Sequence, residues 1–197
     1  MNNNSYSYQD RKGIKPISWE LFHGICKGLA IAVSDFNPTI ILGVSRGGLY
    51  PAAIISSILR KELYPIRLTR RSEDIVKFEH PIWLLKPPPA INGLRVLIVD
   101  EICDSGETLT MVKAQALETG AGEVKSAVMY SHTKNQNIPD YIGIITDELI
   151  LNPWDREVYK NGKFIFHPEY VDALGKQGMQ PEESLLPNIK PEKPDKN

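Results

Sequence analysis

The chain has 197 residues, enough for one domain with a substantial core. A formal net charge of −1 and an isoelectric point near 6.4 give it no general nucleic-acid-binding character. No apolar run approaches the roughly 20 residues that span a bilayer, the start Met1-Asn2-Asn3-Asn4-Ser5 is no signal peptide, and the two cysteines, Cys26 and Cys103, suit a reducing compartment, so a cytoplasmic location is expected.

Residues 1–15 are polar and aperiodic and read as an accessory arm. Ser18 suits the N-cap of a helix that carries Trp19, Phe22, Ile25, Cys26, Leu29 and Val33 on one stripe and ends before Pro38. Residues 39–44 form a buried apolar strand. Ser45-Arg46-Gly47-Gly48 follows at once, then a helix from Leu49 to about Leu59, with Pro51 in the first turn where a missing N–H costs little. Residues 64–69 read as a further strand, and Arg70-Arg71-Ser72-Glu73-Asp74 as a charged stretch with no apolar face. Lys86-Pro87-Pro88-Pro89 is a stiff connector, and Asn92-Gly93 turns the chain into the next strand.

That strand is Val96-Leu97-Ile98-Val99, four apolar residues closed by the acidic pair Asp100-Glu101. Ile102-Cys103-Asp104-Ser105-Gly106-Glu107-Thr108 comes next. A helix then puts Leu109, Val112, Ala116 and Leu117 on one face and stops at Gly120. Acids and hydroxyls therefore sit where a strand hands over to a helix N-terminus, a junction that binds phosphate in open α/β sheets. Residues 124–130 are another strand, with Ser131-His132-Thr133-Lys134 at its C-terminal end. Residues 139–145 begin a further strand, and 149–155 a short edge segment. The tail, residues 181–197, is rich in Pro, Lys, Glu and Asn and is expected to be disordered.

Val-Asp-Glu-Ile-Cys-Asp-Ser-Gly-Glu-Thr at 99–108 resembles the phosphoribosyl-pyrophosphate (PRPP) signature of the type I phosphoribosyltransferases. A receiver domain of bacterial signalling also has a strand ending in acids, but its acidic pair lies near the domain start and no Asp-Ser-Gly-x-Thr loop follows. Ser45-Arg46-Gly47-Gly48 resembles the pyrophosphate loop of the purine branch, which often carries a non-proline cis peptide. The resemblance implies an α/β fold, an open and mainly parallel sheet flanked by helices with a small hood, over residues 16–180.

It further implies transfer of phosphoribose from PRPP to a 6-oxopurine, giving a nucleoside 5′-monophosphate and pyrophosphate. Asp104 would be catalytic, taking a proton from the base's imidazole nitrogen. PRPP would be held by Ser45, Arg46, Gly47, Gly48, Asp100, Glu101, Ser105, Gly106, Glu107 and Thr108, and Mg²⁺ by Asp100, Glu101 and Asp155. His132 or Lys134 would meet the purine 6-oxygen, with Leu149 in the stacking position, Ile150 beside it and Trp154 in the hood. Arg70, Arg71 and Lys77 would belong to a mobile lid, and Cys103 would be a small filler. A homodimer or higher homo-oligomer is expected, with no nucleic-acid or membrane partner. Two other functions share these motifs: a phosphoribosyltransferase for a pyrimidine or modified base, and a non-catalytic PRPP-sensing regulator. Regulators of that kind carry a DNA-binding module ahead of the domain, where this chain has about fifteen polar residues.

Overall fold

The structure, a computed structural model, describes residue 11, residues 13–72 and residues 75–181. Most of the polar arm, residues 182–197 of the tail read as 181–197, and Glu73-Asp74 of the charged stretch lie outside the described residues. The chain divides into two compact units, one holding Trp19–Asp147 and the other pairing the segment that ends at Ser18 with the segment that begins at Glu148.

In the smaller unit, β1 (Ile14–Pro16) is the first strand. The larger unit runs through α1 (Trp19–Ala32), β2 (Ile40–Ser45), α2 (Leu49–Leu59), β3 (Glu62–Thr69), the short strands β4 (Arg71–Ser72) and β5 (Ile75–Val76), and β6 (Ile82–Leu85). It continues with β7 (Arg95–Cys103), α3 (Glu107–Glu118), β8 (Glu123–Ser131) and β9 (Tyr141–Ile145). Its main sheet has six strands in the order β6-β3-β2-β7-β8-β9, parallel throughout except where β6 runs antiparallel to β3.

A parallel sheet is covered on both faces, so its central strands are apolar on both. Val96, Leu97, Ile98 and Val99 of β7 are all fully buried. Alternate residues serve opposite layers: Ile40, Leu42 and Val44 join Val96 and Ile98 in one cluster with Leu109, Val112 and Ala116 of α3. On the other face β2 offers Gly43, where a Cβ would lie 2.9 Å from both Ala52 and Leu49, so the glycine lets α2 approach the sheet. α1 buries Phe22, Ile25, Cys26 and Leu29 of the stripe expected from its periodicity, whereas Trp19, at the helix start, is exposed.

β7 and β6 depart from the sequence reading. β7 runs four residues past Val99, carrying Asp100 and Glu101 inside the strand, because β8 goes on pairing with it up to Cys103↔Ser131. The antiparallel edge strand β6 is unannounced in the sequence. Its Trp83 packs on the core while Leu84 and Leu85 stay exposed.

In the smaller unit, β1 pairs in parallel with β10 (Leu149–Leu151), so the end of the segment read as a loose arm is a strand. β11 (Glu157–Lys160) and β12 (Lys163–Phe166) form a hairpin whose turn residues Asn161 and Gly162 have φ of +52° and +80°, the left-handed pair that two-residue hairpins require. α4 (Pro168–Lys176) opens on proline, with the His167 ring nitrogen accepting the Glu169 N–H at 3.2 Å. Leu149, Leu151, Tyr170, Ala173 and Leu174 make this unit's core.

Candidate active site

The chain direction across the sheet reverses at β2. From β2 the chain moves outward to β3 and β6, then crosses back to β7 on the other side of β2. Crevices at such a reversal, outside the strands' carboxyl ends, are where open α/β sheets bind ligands. Here the crevice is opened by the ladder itself: β2 and β7 pair from Ile40↔Val96 only to Gly43↔Val99, while both strands continue further.

Into this opening come the two loops singled out in the sequence. The Ser45–Arg46 peptide is cis, as the resemblance implies. Gly47 and Gly48 lie against the acidic pair. A Cβ on Gly47 would strike the Glu101 carboxylate, and one on Gly48 would lie 2.6 Å from the Val44 carbonyl oxygen and 2.8 Å from Asp100 Cα. After β7, Gly106 caps α3 at φ +79°, a conformation that glycine adopts without cost. Ser105 Oγ accepts the Glu107 N–H at 3.4 Å, and the side chain of Ile138 closes over Gly106. The N-terminus of α3 and its partial positive charge face the loop.

A cleft of about 300 Å³ is lined by Ser45, Arg70, Asp100, Glu101, Asp104 and Thr108, together with Ser105 and Gly106. Burial pushes the Asp100 carboxyl up to about 7, partly offset by the Glu101 N–H that donates to its Oδ1 at 2.7 Å. Between its ordinary value and about 7 the folded chain therefore keeps a proton that the unfolded chain releases, and this group's contribution to stability falls as pH rises through that window. Asp100→Asn is expected to melt above the wild type at pH 8, by about 2–4 °C for each kcal/mol recovered, and to flatten the pH dependence of melting below 7. Equal melting temperatures at pH 8 would refute this placement of the carboxyl.

The remaining site residues fall in three places. Glu107, in the first turn of α3, accepts from His80 at 2.6 Å. Lys134 is exposed on the turn after β8. His132 is fully buried. Its Nδ1 donates to the Thr146 carbonyl at 2.9 Å, so that hydrogen is committed to the backbone and not to a purine 6-oxygen in the cleft. Leu149, Ile150 and Asp155 belong to the smaller unit. Leu149 is 1% exposed within that unit's apolar cluster, which leaves no room for a larger ring at this position. Cys103 is buried and its thiol is pushed up by burial to about 11, which suits a filler and not a nucleophile.

Sequence reasoning did not single out Asn135, whose amide donates to the Asp104 carbonyl, nor Asp147, which accepts the Thr133 N–H at 3.1 Å. Each sits in a polar loop with no motif of its own. Arg70 was legible only as part of a charged stretch. The carbonyl of Arg70 accepts the N–H groups of Lys77 and Phe78, which ties the two legs of that stretch together beside the cleft.

Two strand–loop–helix junctions flanking one acidic pair at a sheet's reversal point form the arrangement with which open α/β sheets hold phosphate groups. The chain belongs to the phosphoribosyl transferase domain family, whose pattern matches residues 18–160. A xanthine-guanine phosphoribosyltransferase of Cereibacter sphaeroides is 28% identical over 156 residues, 71% of this chain and 85% of that protein. A purine phosphoribosyltransferase from Pyrococcus horikoshii has a similar structure, with a TM-score of 0.66 and 28% identity over 76% of this chain and 99% of its own. A hypothetical protein from Neisseria gonorrhoeae, solved with bound ppGpp, shares the fold at a TM-score of 0.63 and 24% identity, covering 73% of this chain and 90% of that one.

Proposed function

We propose that the protein transfers the phosphoribosyl group of PRPP to a 6-oxopurine, releasing pyrophosphate and forming the nucleoside 5′-monophosphate. The observation that carries this reading is the contact of Gly47 and Gly48 with Glu101 and Asp100, which joins a leaving-group loop to a sugar-binding acidic pair in one cleft. The similarity to purine phosphoribosyltransferases supports a purine as acceptor.

Substitution at the anomeric carbon builds positive charge on the ribose while pyrophosphate leaves with added negative charge. The loop from Ser105 to Thr108 and the α3 N-terminus hold the 5′-phosphate. The loop from Ser45 to Gly48 presents backbone N–H groups to pyrophosphate. Asp100 and Glu101 accept the ribose hydroxyls, and Asp104 takes the proton from the base's imidazole nitrogen. Lys134 supplies the donor to the 6-oxygen.

Among the described residues no three carboxylate, histidine or cysteine side chains converge as a ready-made metal cage. Asp100 and Glu101 nonetheless suit Mg²⁺, since both line the cleft and a cation would offset the desolvation that raises the Asp100 carboxyl. When bound there, Mg²⁺ would neutralise charge between pyrophosphate and the carboxylates. A cytoplasmic homodimer or higher homo-oligomer belongs to the same reading.

The test is pyrophosphate release from PRPP across guanine, hypoxanthine, xanthine, adenine, orotate and uracil, with and without EDTA. A donor facing the adenine amino group loses its hydrogen bond, costing about 1–3 kcal/mol, so 6-oxopurines should exceed adenine by about tenfold to a hundredfold. Chelation should abolish turnover and Mg²⁺ restore it. A preference for adenine or a pyrimidine would overturn the base assignment, and full activity in EDTA would overturn the metal.

A further inference from the structure

His132 lies just past the C-terminal end of β8, fully buried, with its backbone fixed: its carbonyl accepts from Ser131 Oγ at 3.3 Å and from the Asn135 N–H at 2.9 Å. The Thr146 carbonyl can only accept, so the ring nitrogen 2.9 Å from it, Nδ1, carries a hydrogen. In the neutral ring that leaves the acceptor lone pair on Nε2, which lies 3.8 Å from Asp104 Oδ1. Asp147 flanks the other edge, its Oδ1 3.7 Å from Nδ1 and bonded to the Thr133 N–H. The ionisable groups facing the ring are thus Asp104 from the loop after β7 and Asp147 from the segment after β9. Cys103 is packed against the same turn, with its Sγ 4.0 Å from the Asn135 carbonyl, and remains a neutral thiol. The same turn grips Asp104 a second time, through the Asn135 amide on its carbonyl.

We infer that His132 is a positioning residue for Asp104, holding an acceptor nitrogen ready for the proton that Asp104 takes from the base. The inference deepens the phosphoribosyl-transfer reading and rests on it. In the step concerned, the purine N–H bond breaks and an O–H bond forms on Asp104. A purine nitrogen lone pair forms the C–N bond to the anomeric carbon, and the C–O bond to pyrophosphate breaks with its electron pair leaving on oxygen. The new Asp104 O–H then points at His132 Nε2. The 3.8 Å separation is longer than a hydrogen bond, and contacts of this kind commonly tighten only when substrate binds. A hydrogen bond to the protonated form favours that form, so Nε2 would receive the Asp104 O–H once the proton has been taken. Thr146 sets the tautomer, and the tautomer sets which atom faces the carboxyl.

Two variants separate the ring's two contacts. His132→Asn keeps a donor near the Thr146 carbonyl and loses the group at Asp104, whereas His132→Gln places an amide at the Nε2 position. His132→Asn is expected to lower kcat by about tenfold to a hundredfold, the factor that one lost buried hydrogen bond gives. KM for PRPP and base should stay within a few-fold, and the acid limb of the kcat/KM profile should move to lower pH. His132→Gln should recover part of kcat. ¹⁵N NMR of the wild-type ring, which needs no turnover, should show hydrogen on Nδ1 in the neutral form. A raised KM for the base at unchanged kcat would make His132 a base contact, and an unmoved pH profile would make it structural only; either overturns the inference. So would a neutral ring with hydrogen on Nε2. Absence of wild-type turnover with every base would instead refute the phosphoribosyl-transfer reading, which the NMR result leaves separate.

Discussion

Asp104→Asn is expected to lower kcat by about 10²–10⁴-fold, the usual worth of a positioned proton acceptor, with PRPP affinity little changed. The substitution is nearly isosteric, and the anchoring of this residue runs through its backbone: the Asn135 amide holds its carbonyl, and Gly106 sets the turn after it. Neither depends on the carboxylate, so the loop should keep its shape. Single-turnover kinetics with saturating PRPP and base would separate the chemical step from binding. A kcat within a few-fold of wild type would make Asp104 a structural residue and place the proton acceptor elsewhere.

Gly48→Val is expected to abolish PRPP binding while leaving the circular-dichroism spectrum intact. A Cβ at this position would lie 2.6 Å from the Val44 carbonyl oxygen and 2.8 Å from Asp100 Cα. Both are backbone atoms of central strands, so the loop must yield, at about 1–3 kcal/mol for an overpacked contact. Yielding displaces the loop from the acidic pair, and the leaving-group site goes with it. At Gly47 the obstacle is the Glu101 carboxylate, a flexible side chain end, so Gly47→Ala should do less harm than Gly48→Ala. Calorimetric titration with PRPP would measure the loss, and normal affinity in Gly48→Val would put the pyrophosphate elsewhere.

The central strands β2, β7 and β8 were legible because they are buried on both faces, and continuous apolar runs such as Val96 to Val99 announce themselves, whereas the half-exposed edge strand β6 was not. The two ligand loops were legible because glycine, hydroxyl and acid in fixed order carry a mechanism in their spacing. What the sequence hid depends on partners distant in the chain. Ile14–Pro16 is a strand only because Leu149–Leu151 lies beside it, and three residues carry too little pattern to say so alone. Leu149 reads as a ring-stacking residue until Tyr170 and Leu174 are seen in one cluster with it. His132 reads as a base donor until Thr146 is found to hold its hydrogen. The hairpin and α4 are a different case. Asn161-Gly162 and Pro168 are local signals, but the two hairpin strands are four residues each with none buried, so apolar periodicity does not reveal them.

The early end of pairing between β2 and β7 also bears on how the larger unit folds. Ile40 meets Val96 across more than fifty residues of intervening chain, and the loops that follow these strands are aligned only after that closure. Parallel pairings of such span form slowly, since loop entropy is lost before contacts repay it. In the proposed reading a ligand with two phosphate groups needs both loops, and these are brought together only by the β2–β7 pairing. A ligand spanning the two loops binds the closed sheet and not the open chain. It would thereby raise the unfolding free energy by RT ln(1 + [L]/Kd), so ligand concentration itself shifts the temperature at which the sheet melts.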